Sequence, residues 1–227
     1  MIIAIDGPAA SGKSTTAKLL AKRFNLLFLD TGAMYRAVAY FIVQIASKSD
    51  GLDNTIQSLL NHDEAALRHL EDIQIEFEDE KIILNGIDVS TEIRTAEITK
   101  ISSVIATIKE VRHKMVSEQR RLSENQDVIL DGRDIGTVVF PNADFKFFLT
   151  ASLEVRAKRR YDEMVNKGIN ISLDDIKKDL SWRDNNDTER LEAPLKKADD
   201  AIEIDTTEMT IEEQVKIITE LINIVDS

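Results

Sequence analysis

Cysteine is absent from the 227 residues, so disulfide staples and thiolate metal sites are excluded. Histidine is scarce, and His62, His69 and His113 are scattered without metal-ligand spacing. Long apolar runs are missing too. Those at residues 2–5 and 145–149 fall far short of the ~20 residues a transmembrane helix needs. The chain enters an apolar strand at once, without a basic leader or a small-residue cleavage site. A cytoplasmic protein with no signal peptide and no membrane partner is therefore expected. Positive charge is also in deficit. The net charge is -12, whereas proteins that grip nucleic acid gather a basic surface, so no nucleic acid partner is expected. Small phosphorylated ligands stay open, because a few clustered arginines are enough to hold them.

What is present is an ordinary globular composition, 43% hydrophobic and 31% charged. The length suits one larger α/β domain, or one core carrying small inserted subdomains. Residues 2–6 read as a buried parallel strand. A glycine loop follows, then a helix at about 13–24 and a second strand at 26–29, which is the opening of a parallel α/β sheet. A helix is expected at 33–46. Beyond it, Ile73, Ile75 and Phe77 alternate with Gln74, Glu76 and Glu78, the period of a half-buried antiparallel strand. Residues 81–84 pair with it across Glu78-Asp79-Glu80, and Asn85-Gly86 signals a further turn. This hairpin reads as an insertion rather than a separate domain. A long helix at 97–125, broken in character near Thr107-Ile108, leads to short strands at 128–130 and 146–149. Two charged helices (153–166 and 173–190), a strand at 201–204 and a helix at 211–224 complete the pattern.

The strongest signal is Gly7-Pro8-Ala9-Ala10-Ser11-Gly12-Lys13-Ser14, which satisfies G-x-x-x-x-G-K-[ST] in full between a strand and a helix. Glycines let the backbone wrap closely and point N–H groups at phosphate oxygens. Lys13 can reach the β and γ phosphates, Ser14 can ligate Mg²⁺, and the helix beginning there, with Thr15 in its first turn, aims its positive end at the anion. A nucleoside triphosphate site follows. A guanine-reading switch is disfavoured: Asn166-Lys167-Gly168-Ile169 lacks the final carboxylate of Asn-Lys-x-Asp, and Asp-x-x-Gly does not occur. Nucleic-acid motors need a larger body and a basic track.

The arginines favour phosphoryl transfer. Arg156, Arg159 and Arg160 lie at i, i+3 and i+4, on one helical face, where they could stabilise charge on a transferring phosphoryl group. The alternative is a solvated face neutralised by Glu154, Asp162 and Glu163. Arg183, Asp187 and Arg190 likewise share a face, either to grip phosphate and sugar hydroxyls or as a salt-bridge ladder. A monophosphate acceptor, with a second pKa around 6, needs no general base. An alcohol acceptor would want one, and Asp6, Asp30 and Asp131 stand at strand ends where they could serve.

Taken together, these motifs and several others resemble the bacterial cytidylate kinases, within the nucleoside monophosphate kinases. The resemblance spans nearly the whole chain. It runs through residues 5–14, Leu29-Asp30-Thr31-Gly32-Ala33-Met34-Tyr35-Arg36 and Glu92-Ile93-Arg94-Thr95. It continues through Asp131-Gly132-Arg133-Asp134-Ile135-Gly136-Thr137-Val138-Val139-Phe140-Pro141 and ends in the segment 183–190 with Ala193-Pro194-Leu195. It implies a single P-loop kinase domain of α/β class: a parallel core (about 1–40, 96–150 and 195–227), a monophosphate-binding insertion with the small hairpin (about 41–95) and a helical lid (about 151–194). It implies ATP as donor with Mg²⁺, and CMP and dCMP as substrates of a monomeric enzyme. Thr31, Tyr35 and Arg36 would line the acceptor site, with Arg36, Arg133 and Arg190 on phosphate, and Arg183 and Asp187 on sugar. Ser103, Arg112 and Asp134 would read cytosine, whose amino donor and ring acceptors complement a carboxylate and a guanidinium. Arg156, Arg159 and Arg160 would belong to a lid closing over ATP. Two rivals remain at this point: a P-loop kinase for another small acceptor, and a nucleotide-dependent interaction protein.

Overall fold

The computed structural model describes residues 1–47, 51–78 and 81–225. The expected hairpin turn therefore lies partly outside the described residues, at Asp79 and Glu80. The chain divides into two compact units, one formed by Met1–Leu29 with the described residues from Asn125 onward, the other by those within Asp30–Glu124. The hairpin segment expected at 41–95 falls inside the second.

In the first unit, strands β1 (Ile2–Asp6), β6 (Val128–Gly132), β7 (Phe145–Thr150) and β8 (Ile202–Asp205) join β2 (Leu27–Asp30) in a five-stranded sheet of order β2-β6-β1-β7-β8. The central β1 pairs in parallel with β6 and β7, and β7 pairs in parallel with β8. The central strands are apolar along nearly their whole length because both faces are covered, and Ile3, Ala4, Ile5, Ile129 and Leu130 have no exposed surface. Helix α1 (Lys13–Phe24) buries Ala17, Leu20 and Ala21, at helical spacing, in a cluster that also takes Ile218 and Ile222 of α9 (Ile211–Val225). Truncating Leu20 there should cost about 2–5 kcal/mol. Asn25, left-handed at φ 53°, ends α1. Helices α7 (Leu153–Asn166) and α8 (Leu173–Glu189) start on serine caps: Ser152 accepts from Val155 N, and Ser172 from Asp175 N. Ala157, Ile176 and Leu180 pack with Ala9 of the glycine loop. The parallel order brings the carboxyl ends of β1 and β6 side by side, in register at Asp6 and Gly132.

In the second unit, α2 (Thr31–Ala46), α5 (Ala96–Ile105) and α6 (Lys109–Leu122) share an apolar cluster with an antiparallel sheet of β3 (Ile75–Glu78), β4 (Lys81–Leu84) and β5 (Ile87–Asp88). Strand β3 alternates and buries Ile75, whereas β4 buries Ile82, Ile83 and Leu84 in succession. Two short helices that periodicity did not reveal, α3 (Leu52–Leu60) and α4 (Glu64–Arg68), cover one side; Leu59 is the single buried residue of α3. The long helix expected at 97–125 divides because Ile108 takes an extended conformation (φ -81°, ψ 121°) and opens α6. No helix among the described residues is long and apolar enough to cross a membrane.

Candidate active site

Gly7, at the end of β1, has φ 144°, and a Cβ there would overlap the Leu149 carbonyl oxygen. Gly12 closes the loop in a left-handed conformation, φ 97°, where a Cβ would stand 2.8 Å from Gln214 Oε1. The loop is braced from outside by residues that its motif did not reveal. Thr206 Oγ1 shares its proton between Ser11 O at 3.0 Å and Thr150 O at 2.8 Å, and Thr16 Oγ1 donates to Gln214 Oε1 at 2.9 Å. Pro8 and Ala10 are half-buried, Ser14 and Thr15 exposed at the start of α1.

Lys13 is buried, and its ammonium donates to Pro8 O at 2.7 Å and to Ser11 Oγ at 3.5 Å. Burial, followed by the positive charge of Arg133, pulls its pKa down to about 7 against the attraction of Asp131, Asp6 and Asp187. A triphosphate supplies the negative charge that restores the ammonium. Ser14 Oγ donates to Asp131 Oδ2 across from the end of β6. A hydroxyl and a carboxylate side by side are hard oxygen donors, the set that suits Mg²⁺ shared with substrate phosphates. No group of three histidine or carboxylate ligands occurs among the described residues, so nothing here suits a cage built from protein groups alone. The loop and its surroundings therefore fit a magnesium-bound triphosphate.

Beyond β6 lies a charged cluster. Arg133 Nε donates to Asp187 Oδ2 at 2.7 Å, Arg190 lies 3.8 Å from Asp187 Oδ1, and Arg190 also donates to Asp134 Oδ1 at 3.4 Å. Burial pushes the Asp187 pKa up, but Arg133, Arg190 and Arg183 outweigh it and hold the carboxyl below its usual range. Burial and the neighbouring Arg133 lower Arg183 to about 10, and its Nε is buried without a hydrogen-bond partner.

The three arginines of α7 have different partners. Arg156 donates to Ala151 O (2.9 Å) and Ala9 O (3.2 Å) and pairs with Asp184 at 2.7 Å. Arg159 donates to Thr206 O (2.6 Å), Met209 O (3.3 Å) and Ser11 O (3.5 Å). Arg160 pairs with Glu163 at 2.7 Å, a partner that the solvated-face alternative named. Helical spacing thus puts them on one element, and two of the three reach back to brace the glycine loop.

In the second unit, Asp30 caps α2 by accepting from Ala33 N at 2.7 Å and holds Arg36 at 3.2 Å. Thr31 is buried in the first turn. The Arg112 guanidinium is buried over the Tyr35 ring, 5.8 Å from its centroid, and donates to Ala106 O at 3.4 Å. Ser103 is half-buried and donates to Thr99 O at 3.3 Å.

Strand, phosphate loop, helix, reachable lysine and a serine–aspartate pair define a P-loop phosphotransferase. The chain belongs to the cytidylate kinase family, whose sequence profile matches residues 3–224. It is 48% identical over 222 residues to the cytidylate kinase of Fusobacterium nucleatum, covering 98% of this chain and 97% of that protein. It is 49% identical to that of a Geobacillus species (97% and 96% covered) and 46% identical to that of Clostridioides difficile (99% of each).

Proposed function

We propose that this protein transfers the γ-phosphoryl group of ATP to CMP and dCMP, giving ADP with CDP or dCDP by direct in-line displacement. One observation carries the reading: β1 and β6 end side by side, in register at Asp6 and Gly132, so the phosphate loop that leaves β1 and the Arg133–Asp187–Arg190 cluster beyond β6, suited to a second anion, share one compact unit. Backbone amides of residues 7–15 and Lys13 hold the donor phosphates. Ser14 and Asp131 would hold Mg²⁺, which when bound neutralises the bridging phosphate oxygens. A monophosphate oxygen is already anionic, so the chain supplies position and positive charge rather than a base.

The acceptor roles are proposed residue by residue. In the first unit, Arg133 and Arg190 contact phosphate, Arg183 and Asp187 the sugar, and Asp134 the base. In the second, Arg36 contacts phosphate, Thr31 and Tyr35 line the site, and Ser103 and Arg112 read the base. Residues 151–194 act as a lid that excludes water and slows hydrolysis, and Arg156, Arg159 and Arg160 belong to it. The enzyme is taken as cytoplasmic and monomeric, the latter testable by sedimentation. A panel of monophosphates with ATP and Mg²⁺ tests the specificity: CMP and dCMP should turn over fastest, and equal or faster turnover of AMP, UMP or GMP rejects it.

A further inference from the structure

Asp6 is buried at the carboxyl end of β1, one residue before the phosphate loop. Both of its oxygens are engaged: Oδ1 accepts from Ile135 N at 2.9 Å and Oδ2 from Gly136 N at 2.8 Å. A carboxylate held this way by two backbone amides is a clamp, not a free base. The residues directly before those amides are Arg133 and Asp134. The clamped segment then folds on itself, Val138 N donating to Asp134 O at 2.9 Å and Phe140 N to Ile135 O at 2.7 Å. It is backed from the other side by Lys146, whose stem lies 3.1 Å from where a Cβ on Gly136 would stand. The Lys146 ammonium is itself tied to Pro141 O at 2.5 Å and to Asp200 at 2.6 Å.

We infer that Asp6 is a positioning residue for the acceptor: its carboxylate fixes the turn at 132–139, and through it the orientation of Arg133 and Asp134. The inference rests on the acceptor roles proposed above for those two residues. Burial raises the Asp6 pKa to about 6 in spite of both hydrogen bonds, and the nearby Asp134 carboxylate adds to the rise. The turn is thus held by a group that the protein keeps at an energetic disadvantage.

Asp6→Asn tests it. A carboxamide has one oxygen to offer, so the second amide meets an NH₂ donor and the turn shifts. KM for CMP should rise roughly ten- to hundredfold, while the dissociation constant for ATP rises by a clearly smaller factor, since Asp6 also helps to hold the charge on Lys13. Gly136→Ala provides a second variant, because it pushes the turn against Lys146 and leaves Asp6 in place. The same selective rise in KM for CMP is expected, and the double variant should lose less than the product of the two single effects. Equal proportional losses for ATP and CMP, or no change in either variant, would overturn the inference. If Asp6→Asn does not fold, Gly136→Ala decides by the same criteria. Amide hydrogen exchange separates this idea from the acceptor reading. Wild-type protein inactive on CMP sinks the latter, while faster exchange at Ile135 and Gly136 in Asp6→Asn still supports the clamp, and unchanged exchange there refutes it.

Discussion

Arg133 donates from Nε to Asp187 Oδ2 at 2.7 Å, tying the turn after β6 to the last turn of α8. The contact fixes a guanidinium in direction, and Nη1 donates as well to Gly132 O at 3.1 Å. Asp187→Asn keeps the shape and removes the charge, which should cost about 1–3 kcal/mol at neutral pH. The pH dependence has a definite sign. The native Asp187 pKa lies below its unfolded value of 3.8, so its contribution is complete above that value and is lost as pH falls through the native one. Urea unfolding of both proteins between about pH 6 and pH 3 should therefore show the difference shrinking on acidification. A constant or growing difference would mean that the pair does not stabilise the native carboxylate.

Lys13 makes a prediction of opposite kind. Its pKa of about 7 in the free protein must rise when triphosphate binds beside it, so binding takes up a proton above that pH. Affinity for ATP should fall as pH climbs from about 7, and calorimetry at about pH 8.5, in buffers of different ionisation enthalpy, should register net proton uptake. Absence of uptake would show that the lysine is already charged in the free loop. Lys13→Ala should lower turnover by a factor of about 10² or more. It should leave the Tm unchanged or raised, since a buried ammonium held at a depressed pKa opposes folding.

Gly12 illustrates how a motif position can be fixed twice. Its left-handed φ of 97° disfavours any side chain, and Gln214 Oε1 stands where a Cβ would go. Gly12→Ala should destabilise by about 1–3 kcal/mol and weaken ATP binding. Adding Gln214→Ala removes the collision but not the backbone strain, so the double variant should be more stable than the sum of the single effects, with about 1 kcal/mol left unrecovered. Strict additivity in a thermal-unfolding cycle would show that the glutamine simply moves aside.

The parallel core and the phosphate loop were legible because each rests on local rules: short apolar strands, glycine where the backbone must wrap, and helical periodicity in α1, α7 and α9. What stayed hidden depends on distant partners. The sequence gives no sign that Thr206 and Gln214 brace the loop, since each lies about 200 residues from the group it holds. Asp6 reads as a strand-end acid open to base chemistry, and only the fold shows both oxygens bound to amides 129 and 130 residues away. Helices α3 and α4 were not legible because they are short, nine and five residues; α3 does set Leu52, Ile56, Leu59 and Leu60 on one face, but the stripe spans barely two turns.

Adjacent arginines on α7 provide the sharpest separation of roles. Arg159 ends among the carbonyls of Ser11, Thr206 and Met209, and burial lowers its pKa, whereas Arg160 pairs with the half-exposed Glu163. Removing Arg159 takes a charged donor from the Ser11, Thr206 and Met209 carbonyls, leaving them Thr206 Oγ1, Met209 N and Gln214 Nε2, and loosens the phosphate loop from behind. Arg159→Ala should therefore raise KM for ATP more than KM for CMP and destabilise the fold by about 1–3 kcal/mol. An exposed i,i+3 ion pair is worth about 0–1 kcal/mol, so Arg160→Ala should leave the Tm nearly unchanged. Any loss it causes should then fall on kcat, because a lid guanidinium that meets the phosphoryl group only in the closed state stabilises the transition state more than the bound nucleotide. Steady-state kinetics and thermal unfolding on the two variants separate these outcomes. An Arg159→Ala protein with wild-type stability and a selective kcat defect would reverse the assignment, making Arg159 the group that reaches the reacting phosphate and leaving the loop to be braced by Arg156, Thr206 and Gln214.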